Sequence, residues 1–421
     1  MDVLLFRALS LLGLAILVAL AARRLRLPYT VGLVLAGAAV AATRSHAGLA
    51  LTHDLIFDVV LPPLLFEAAL NLRWSELKRD LLPVVALSTI GVALCASVVA
   101  GGLVVGLGWP IESALVFGAL ISATDPIAII ALIKESRVSG RLSRLIEAES
   151  LFNDGAAAVL FTLILLWAAH DRGNARDALG AITTFLVVAG GGLAAGFSIG
   201  LIAVMVAGTS DDHLVETALT VVAAFGSFLI AEHFGASGVL ASVVAGMTMG
   251  NLGVLTPKER FGLSITPHGR AFVLEFWEFA AFLANSLVFL LIGSAMATID
   301  FAREGLLALT LAIGLALLGR GVAVYPVCLA FQRSSWAIPL NHQHVMWWGG
   351  LRGALALALA LALPVDLPRR DDILIAAFAV VAFSVIVQGL TAPLALKAAR
   401  VTQTQRGRTA IRGVRGPIEP P

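Results

Sequence analysis

Apolar residues along this chain come in long runs rather than in alternation. Runs of 17 to 25 residues recur from the first residues to near position 400, separated by short polar segments. A helix needs about 20 such residues to cross a hydrocarbon layer about 30 Å thick. The pattern predicts thirteen helical spans, at 3–22, 28–43, 54–71, 81–107, 111–133, 145–169, 177–207, 212–233, 236–251, 270–297, 304–331, 343–363 and 372–399. The second and ninth are short and rich in glycine. The fold class expected is an all-α polytopic membrane protein.

Composition agrees. The 421 residues are 59% hydrophobic and 13% charged, about half the charge of a soluble domain. Mean hydropathy is +0.94. The net charge of +2 carries little, but its distribution is informative. With the N-terminus outside, the cytoplasmic loops and tail hold 20 Lys and Arg, among them Arg23, Arg73, Arg141, Arg333 and Lys397. The opposite loops hold 6: Arg44, Arg172, Arg176, Arg303, Arg369 and Arg370. Positive charge marks the cytoplasmic side, so the N-terminus is expected outside and the C-terminus inside. The first span leads straight into others, which reads as a retained helix rather than a removable signal.

Ionisable residues inside spans are few. Arg7 is close enough to a span end to snorkel. Arg320 and Arg352 are mid-span, with Glu67, Asp125, Glu149 and Asp154 as acidic counterparts. Charges at such depth face the bundle interior and pair with something. In "ESLFNDGAAAVLF" (149–161), Glu149 and Asn153 are four residues apart, as are Ser150 and Asp154, so all four share neighbouring faces of one helix. Carboxylate, amide and hydroxyl oxygens are hard donors suited to a small alkali cation. Cys95 and Cys328 sit alone in separate spans and read as inert core residues, with no spacing for zinc or iron–sulfur.

Two spans carry backbone breakers. Pro126 follows Thr124 and Asp125 in the fifth, and Gly349, Gly350 and Gly353 surround Arg352 in the twelfth. Both spans should be broken near the midplane. Interrupted helices in corresponding positions of two halves point to a transporter site. They fit inverted repeats at roughly 1–169 and 212–400, with the span at 177–207 as linker and the two broken helices crossing.

The stretches "TDP" (124–126), "ESLFNDGAAAVLF", "FWEFAAFLANSLVFLLIG" (276–293) and "GGLRGALALALA" (349–360) resemble the monovalent cation:proton antiporters of the NhaP and sodium/proton exchanger type. "LPPLLFEAAL" (61–70) and "AEHFGASGVLASVVAGMTMG" (231–250) match in the same order, so the similarity covers about residues 28–396. The resemblance implies that Asp154 binds cation and proton in turn. It implies that Asp125, Thr124, Ser150 and Glu67 complete the cation site, Glu67 being the ligand whose role varies most in the family. Asn153 matches a residue that supports the unwound strands, Glu149 and Arg320 a buried ion pair, and Arg352 the arginine of the second broken helix. Also implied are Na⁺ or Li⁺ as the exchanged ion, a homodimer and an elevator-like movement. Relatives that move net charge carry two adjacent aspartates where Asn153 and Asp154 stand, so electroneutral exchange is expected.

The chain departs from animal exchangers after the last span. Residues 401–421 form a short basic tail, expected to be disordered and drawn to anionic lipid, without a regulatory domain. Length and alanine content fit a bacterial inner-membrane protein. No cofactor and no nucleic-acid partner are expected. A cation channel would need rings of charge along a continuous pore, and a membrane hydrolase a Ser/His, Asp/Asp or metal-ligating constellation; neither pattern is visible. Glu275 and Glu278 read as solvated or funnel-lining. The eight histidines, chiefly in loops, read as solvated or pH-responsive.

Overall fold

The computed structural model describes residues 2–25, 27–42, 51–125, 140–169, 178–255, 265–302 and 305–399. The tail 401–421, Pro126 and the Arg7 side chain, about which the sequence makes predictions, lie outside the described residues.

Helices account for the apolar runs. They are α1 (Asp2–Leu25), α2 (Tyr29–Ala42) and α3 (Leu61–Asn71, preceded by a π turn at Leu55–Val60). Then come α4 (Trp74–Leu107), α5 (Ile111–Ser122) and α6 (Arg141–Ala169). α7 runs as Ala178–Phe185, a π turn Leu186–Gly190 and Gly191–Ala207. α8 (His213–His233), α9 (Gly238–Met249, closed by a π turn), α10 (Pro267–Met296) and α11 (Leu306–Ala330) follow. The chain ends in two half-helices, α12 (Leu340–Trp348) and α13 (Ala354–Leu361), and in α14 (Arg370–Ala398). Among the described residues, seven helices are long and apolar enough to cross a membrane, and shorter apolar helices accompany them. This is a multi-pass helical membrane protein.

Two helices start four or more residues earlier than hydropathy alone predicts. α4 begins at Trp74, not 81, and α6 at Arg141, not 145. Both added ends are charged, and the charges meet: Arg141 donates to Asp80 at 2.7 and 2.9 Å and to the carbonyls of Trp336 and Ala337. Arg144 reaches Glu76 at 3.3 Å. Hydropathy reports only the apolar part of such helices; the polar turns added here are held by these pairs.

Packing relies on small residues, because lipid supplies no hydrophobic drive between helices. A Cβ placed on Gly37 of α2 would lie 2.0 Å from the Leu290 carbonyl oxygen of α10. One on Gly293 of α10 would lie 2.0 Å from that of Val34. Backbone therefore touches backbone across this pair. Gly118 brings α5 onto Ala96 of α4, and Gly196 brings α7 onto Ala241 of α9, in the same way. Helices α2, α3 and α8 to α10 pack together with α7 against them, while α4 to α6 and α11 to α14 pack round the two breaks. Outward faces are apolar, with Leu17, Phe197, Val222 and Leu318 all exposed.

Candidate functional site

The first break follows α5. Its helix stops at Ser122, and Ala123 is extended with ψ 140°. The second separates α12 from α13, where Gly349 to Gly353 leave the helical path. The two unwound stretches pair antiparallel, and the Asp125 N–H donates to the Leu351 carbonyl at 2.6 Å. Each break thus satisfies a backbone group that the other exposes.

Charges complete the crossing. The Arg352 guanidinium donates to the Ala123 carbonyl at 3.1 Å, at the negative end of the α5 dipole. Asp125 lies against Gly353, the residue that caps the N-terminus of α13; a Cβ there would sit 2.3 Å from Asp125 Oδ2. The carboxylate therefore stands at the positive end of the α13 dipole. Opposite helix ends are matched by opposite side-chain charges.

Helix α6 crosses beside the breaks and brings its polar face to them. The Ser150 hydroxyl donates to the Thr124 carbonyl, and Thr124 Oγ1 stands 3.3 Å from Ser150 Oγ. Asn153 Nδ2 donates to Thr124 Oγ1 at 3.2 Å and to Glu149 Oε1 at 3.3 Å. Glu149 accepts both Arg320 terminal nitrogens, at 2.7 and 2.9 Å, and Arg320 also reaches the Met346 carbonyl of α12. Glu149, Ser150, Asn153, Thr124, Arg320 and Arg352 are all buried. Asp154 lies one turn from Ser150, with Asp125 and Glu149 as charged neighbours. Its Oδ1 is buried and has no hydrogen-bond partner among the described residues. A carboxylate oxygen so placed is open to a proton, a water or a cation.

Eight of the nine residues singled out in the sequence therefore converge: Thr124, Asp125, Glu149, Ser150, Asn153, Asp154, Arg320 and Arg352. Glu67 stands half-buried on α3, and its Oε1 accepts the Asn71 amide at 2.9 Å. Glu275 and Glu278 are exposed. The reading of the cysteines needs refinement at Cys95, whose Sγ lies 3.7 Å from Arg352. The placing of histidines in loops is corrected: His213 opens α8 and His268 lies in the first turn of α10. His53 is half-buried, stacks on Phe57 and has Nδ1 3.1 Å from the Ala358 carbonyl. His342 and His344 belong to α12 rather than a loop; Nδ1 of His342 is buried, and that of His344 pairs with the Tyr325 hydroxyl at 2.8 Å. Hydropathy sees only a polar residue near a span end, whereas neighbouring helices half-cover His53 and His342; His344 stays exposed, as its solvated reading expects.

Two residues of α14 went unnoticed in the sequence. Ser384 Oγ accepts the Arg352 N–H at 2.8 Å and donates to Gln388 Oε1 at 2.6 Å. Gln388 Nε2 donates to the Trp348 carbonyl at 3.0 Å. The signal was a polar pair four residues apart in an apolar span.

An unwound stretch after α5 that pairs with the break between α12 and α13 beside buried carboxylates is the kind of arrangement secondary transporters use. Residues 11–398 match the family described as sodium/hydrogen exchanger, transmembrane, and the chain belongs to that family. It is 41% identical over 386 residues to the Na(+)/H(+) antiporter ApNhaP of Aphanothece halophytica, across 90% of this chain and 71% of that one. It is 34% identical over 396 residues to the Na(+)/H(+) antiporter NhaH of Halobacillus aidingensis, across 91% and 94%. The solved structure of the sodium proton antiporter MjNhaP1 from Methanocaldococcus jannaschii superposes with a TM-score of 0.70. That match covers 96% of this chain and all of the other at 21% identity, and it speaks for the fold.

Proposed function

We propose that this protein exchanges Na⁺ or Li⁺ for H⁺ across a bacterial inner membrane, serving sodium and pH homeostasis. Asp154 carries cation and proton in alternation. The observation that supports this most is the buried, unpartnered Oδ1 of Asp154 beside the unwound Thr124–Asp125 stretch. Asp125, Ser150, the Thr124 oxygens and Glu67 supply the remaining cation ligands. Because both loads compete for one carboxylate, cation and proton fluxes are coupled without a separate gate. Glu149 with Arg320 and Arg352 with the α5 terminus hold the moving bundle together, and Asn153 braces the break.

Thirteen spans in two inverted repeats, roughly 1–169 and 212–400 about a linker at 177–207, accommodate the observed helices. The N-terminus lies outside, the C-terminus is cytoplasmic, and the exchanger works as a homodimer in lipid. Family membership and the close Na(+)/H(+) antiporter relatives support the exchange itself. The test is cation-driven dissipation of a pH gradient in proteoliposomes, with Na⁺, Li⁺ and K⁺ tried in turn. Asp154→Asn should abolish it in a protein that remains folded; retained cation-driven proton flux in that variant would exclude Asp154 as the carrier.

A further inference from the structure

In an unbroken helix the N–H of Arg352 would donate to the carbonyl of Trp348, four residues earlier. Here that bond is missing because the chain unwinds between α12 and α13. Its two orphaned groups are nevertheless both satisfied, and by one device. The Arg352 N–H donates to Ser384 Oγ at 2.8 Å, the Ser384 hydroxyl to Gln388 Oε1 at 2.6 Å, and Gln388 Nε2 to the Trp348 carbonyl at 3.0 Å. Two side chains of α14 are spliced into the bond that a continuous helix would have closed. Both are buried, at 0% and 3% exposure. The pair stands on a π turn of α14, Ser384–Gln388, and the Trp348 ring is pinned to the same helix through Thr391 Oγ1 at 3.0 Å.

We propose that Ser384 and Gln388 are positioning residues for cation binding, acting through the second break. The inference rests on the reading of Asp154 and Asp125 as the cation site. The clip sets the distance between Trp348 and Arg352. Between them lies Leu351, whose carbonyl accepts the Asp125 N–H, and Arg352 itself holds the α5 terminus through Ala123. Each hydrogen bond runs in one direction: Ser384 must accept and donate at once, and so must Gln388. A hydroxyl at 384 and an amide at 388 meet that demand. With the clip cut, the break either tightens toward helix or loosens, and in both cases Asp125 loses its fixed frame.

The experiment compares Gln388→Leu, Gln388→Glu, Ser384→Ala and Ser384→Thr with the parent, as full chains in proteoliposomes, alongside Asp154→Asn. Gln388→Leu and Ser384→Ala should raise the half-maximal Na⁺ concentration about tenfold, the size of one hydrogen bond of about 1.4 kcal/mol, with a smaller change in maximal rate. Ser384→Thr, which keeps the hydroxyl, should restore the parent value. In Gln388→Glu the side chain donates to the Trp348 carbonyl only while protonated. Its activity relative to the parent should therefore fall as pH rises, whereas the Gln388→Leu ratio stays level. Arg320 and Arg352 are the charged groups lining the cavity beside residue 388, and both variants leave them in place. An unchanged Na⁺ dependence in Gln388→Leu and Ser384→Ala overturns the proposal, whether or not the melting temperature drops. Exchange surviving in Asp154→Asn would instead overturn the site reading on which it rests.

Discussion

Glu149 and Arg320 show how a buried charge is tolerated at the residue scale. The guanidinium meets the carboxylate with two bonds, at 2.7 and 2.9 Å, and a third goes to the Met346 carbonyl. Removing either partner strands the other in apolar surroundings, at a cost of about 3–5 kcal/mol. Glu149→Ala and Arg320→Ala should each lower the melting temperature of the purified protein more than they alter half-maximal Na⁺. Their double mutant should recover much of the loss, and a double-mutant cycle without coupling would free Glu149 as a cation ligand. Asp154 is the opposite case, a carboxylate oxygen left unpartnered within the same cluster. The proposed competition at this one group would fix the sign of the pH effect. While protons occupy Asp154, each pH unit gained should lower the half-maximal Na⁺ concentration by up to about tenfold, by mass action, and the dependence should flatten once the group is deprotonated. A half-maximal Na⁺ concentration that rises with pH would contradict competition.

At the scale of elements, the two breaks depend on different kinds of residue. Gly353 lies so close to Asp125 that a methyl group would sit 2.5 Å from its Cβ and 2.3 Å from Oδ2. Gly353→Ala should therefore displace the carboxylate and depress Na⁺ affinity by at least about tenfold, roughly the loss of one charge-assisted bond. The bundle is otherwise untouched, so melting should change less than in the Arg320 variant; parental Na⁺ dependence would show that Asp125 is not held by this contact. Much of this was legible in the sequence. Apolar runs located the helices, and glycines around Arg352 announced the second break. The carboxylates and arginines stood out because so few charges occupy the spans. The ends of α4 and α6 were less legible, since their charged turns are held by Asp80, Glu76 and the 336–337 carbonyls rather than by lipid. Ser384 and Gln388 offered only a polar pair in an apolar span as a signal, and their role was not legible. Nothing in a serine and a glutamine four apart names partners 32 and 40 residues away.

Charge conservation decides the behaviour of the whole molecule. The core bundle holds Asp125, Glu149 and Asp154 against Arg320 and Arg352, all within the region where the breaks meet. Asn153 cannot titrate, so in the proposed cycle Asp154 alone changes its load. With Glu149 ionised against Arg320 and Asp125 ionised at the N-terminus of α13, two negative charges stand with the two arginines when Asp154 is protonated. When Asp154 instead carries Na⁺, its own charge is cancelled by the ion, and the sum is the same. A bundle that carries an unchanged charge in both directions offers the membrane potential nothing to act on, although each net charge moved would be worth about 2.3 kcal/mol per 100 mV. Exchange of one cation for one proton should therefore be electroneutral. The measurement clamps the potential across proteoliposomes with potassium and valinomycin, after K⁺ has been shown not to be a substrate. Sodium-driven proton flux should be the same at zero and at 100 mV, and solid-supported membranes should show no transient current. Glu67 is the one further acid of the proposed site, and a second proton exchanged there would make the cycle electrogenic. A flux that changes several-fold with potential, and returns to indifference in Glu67→Gln, would replace the one-proton cycle with a two-proton one.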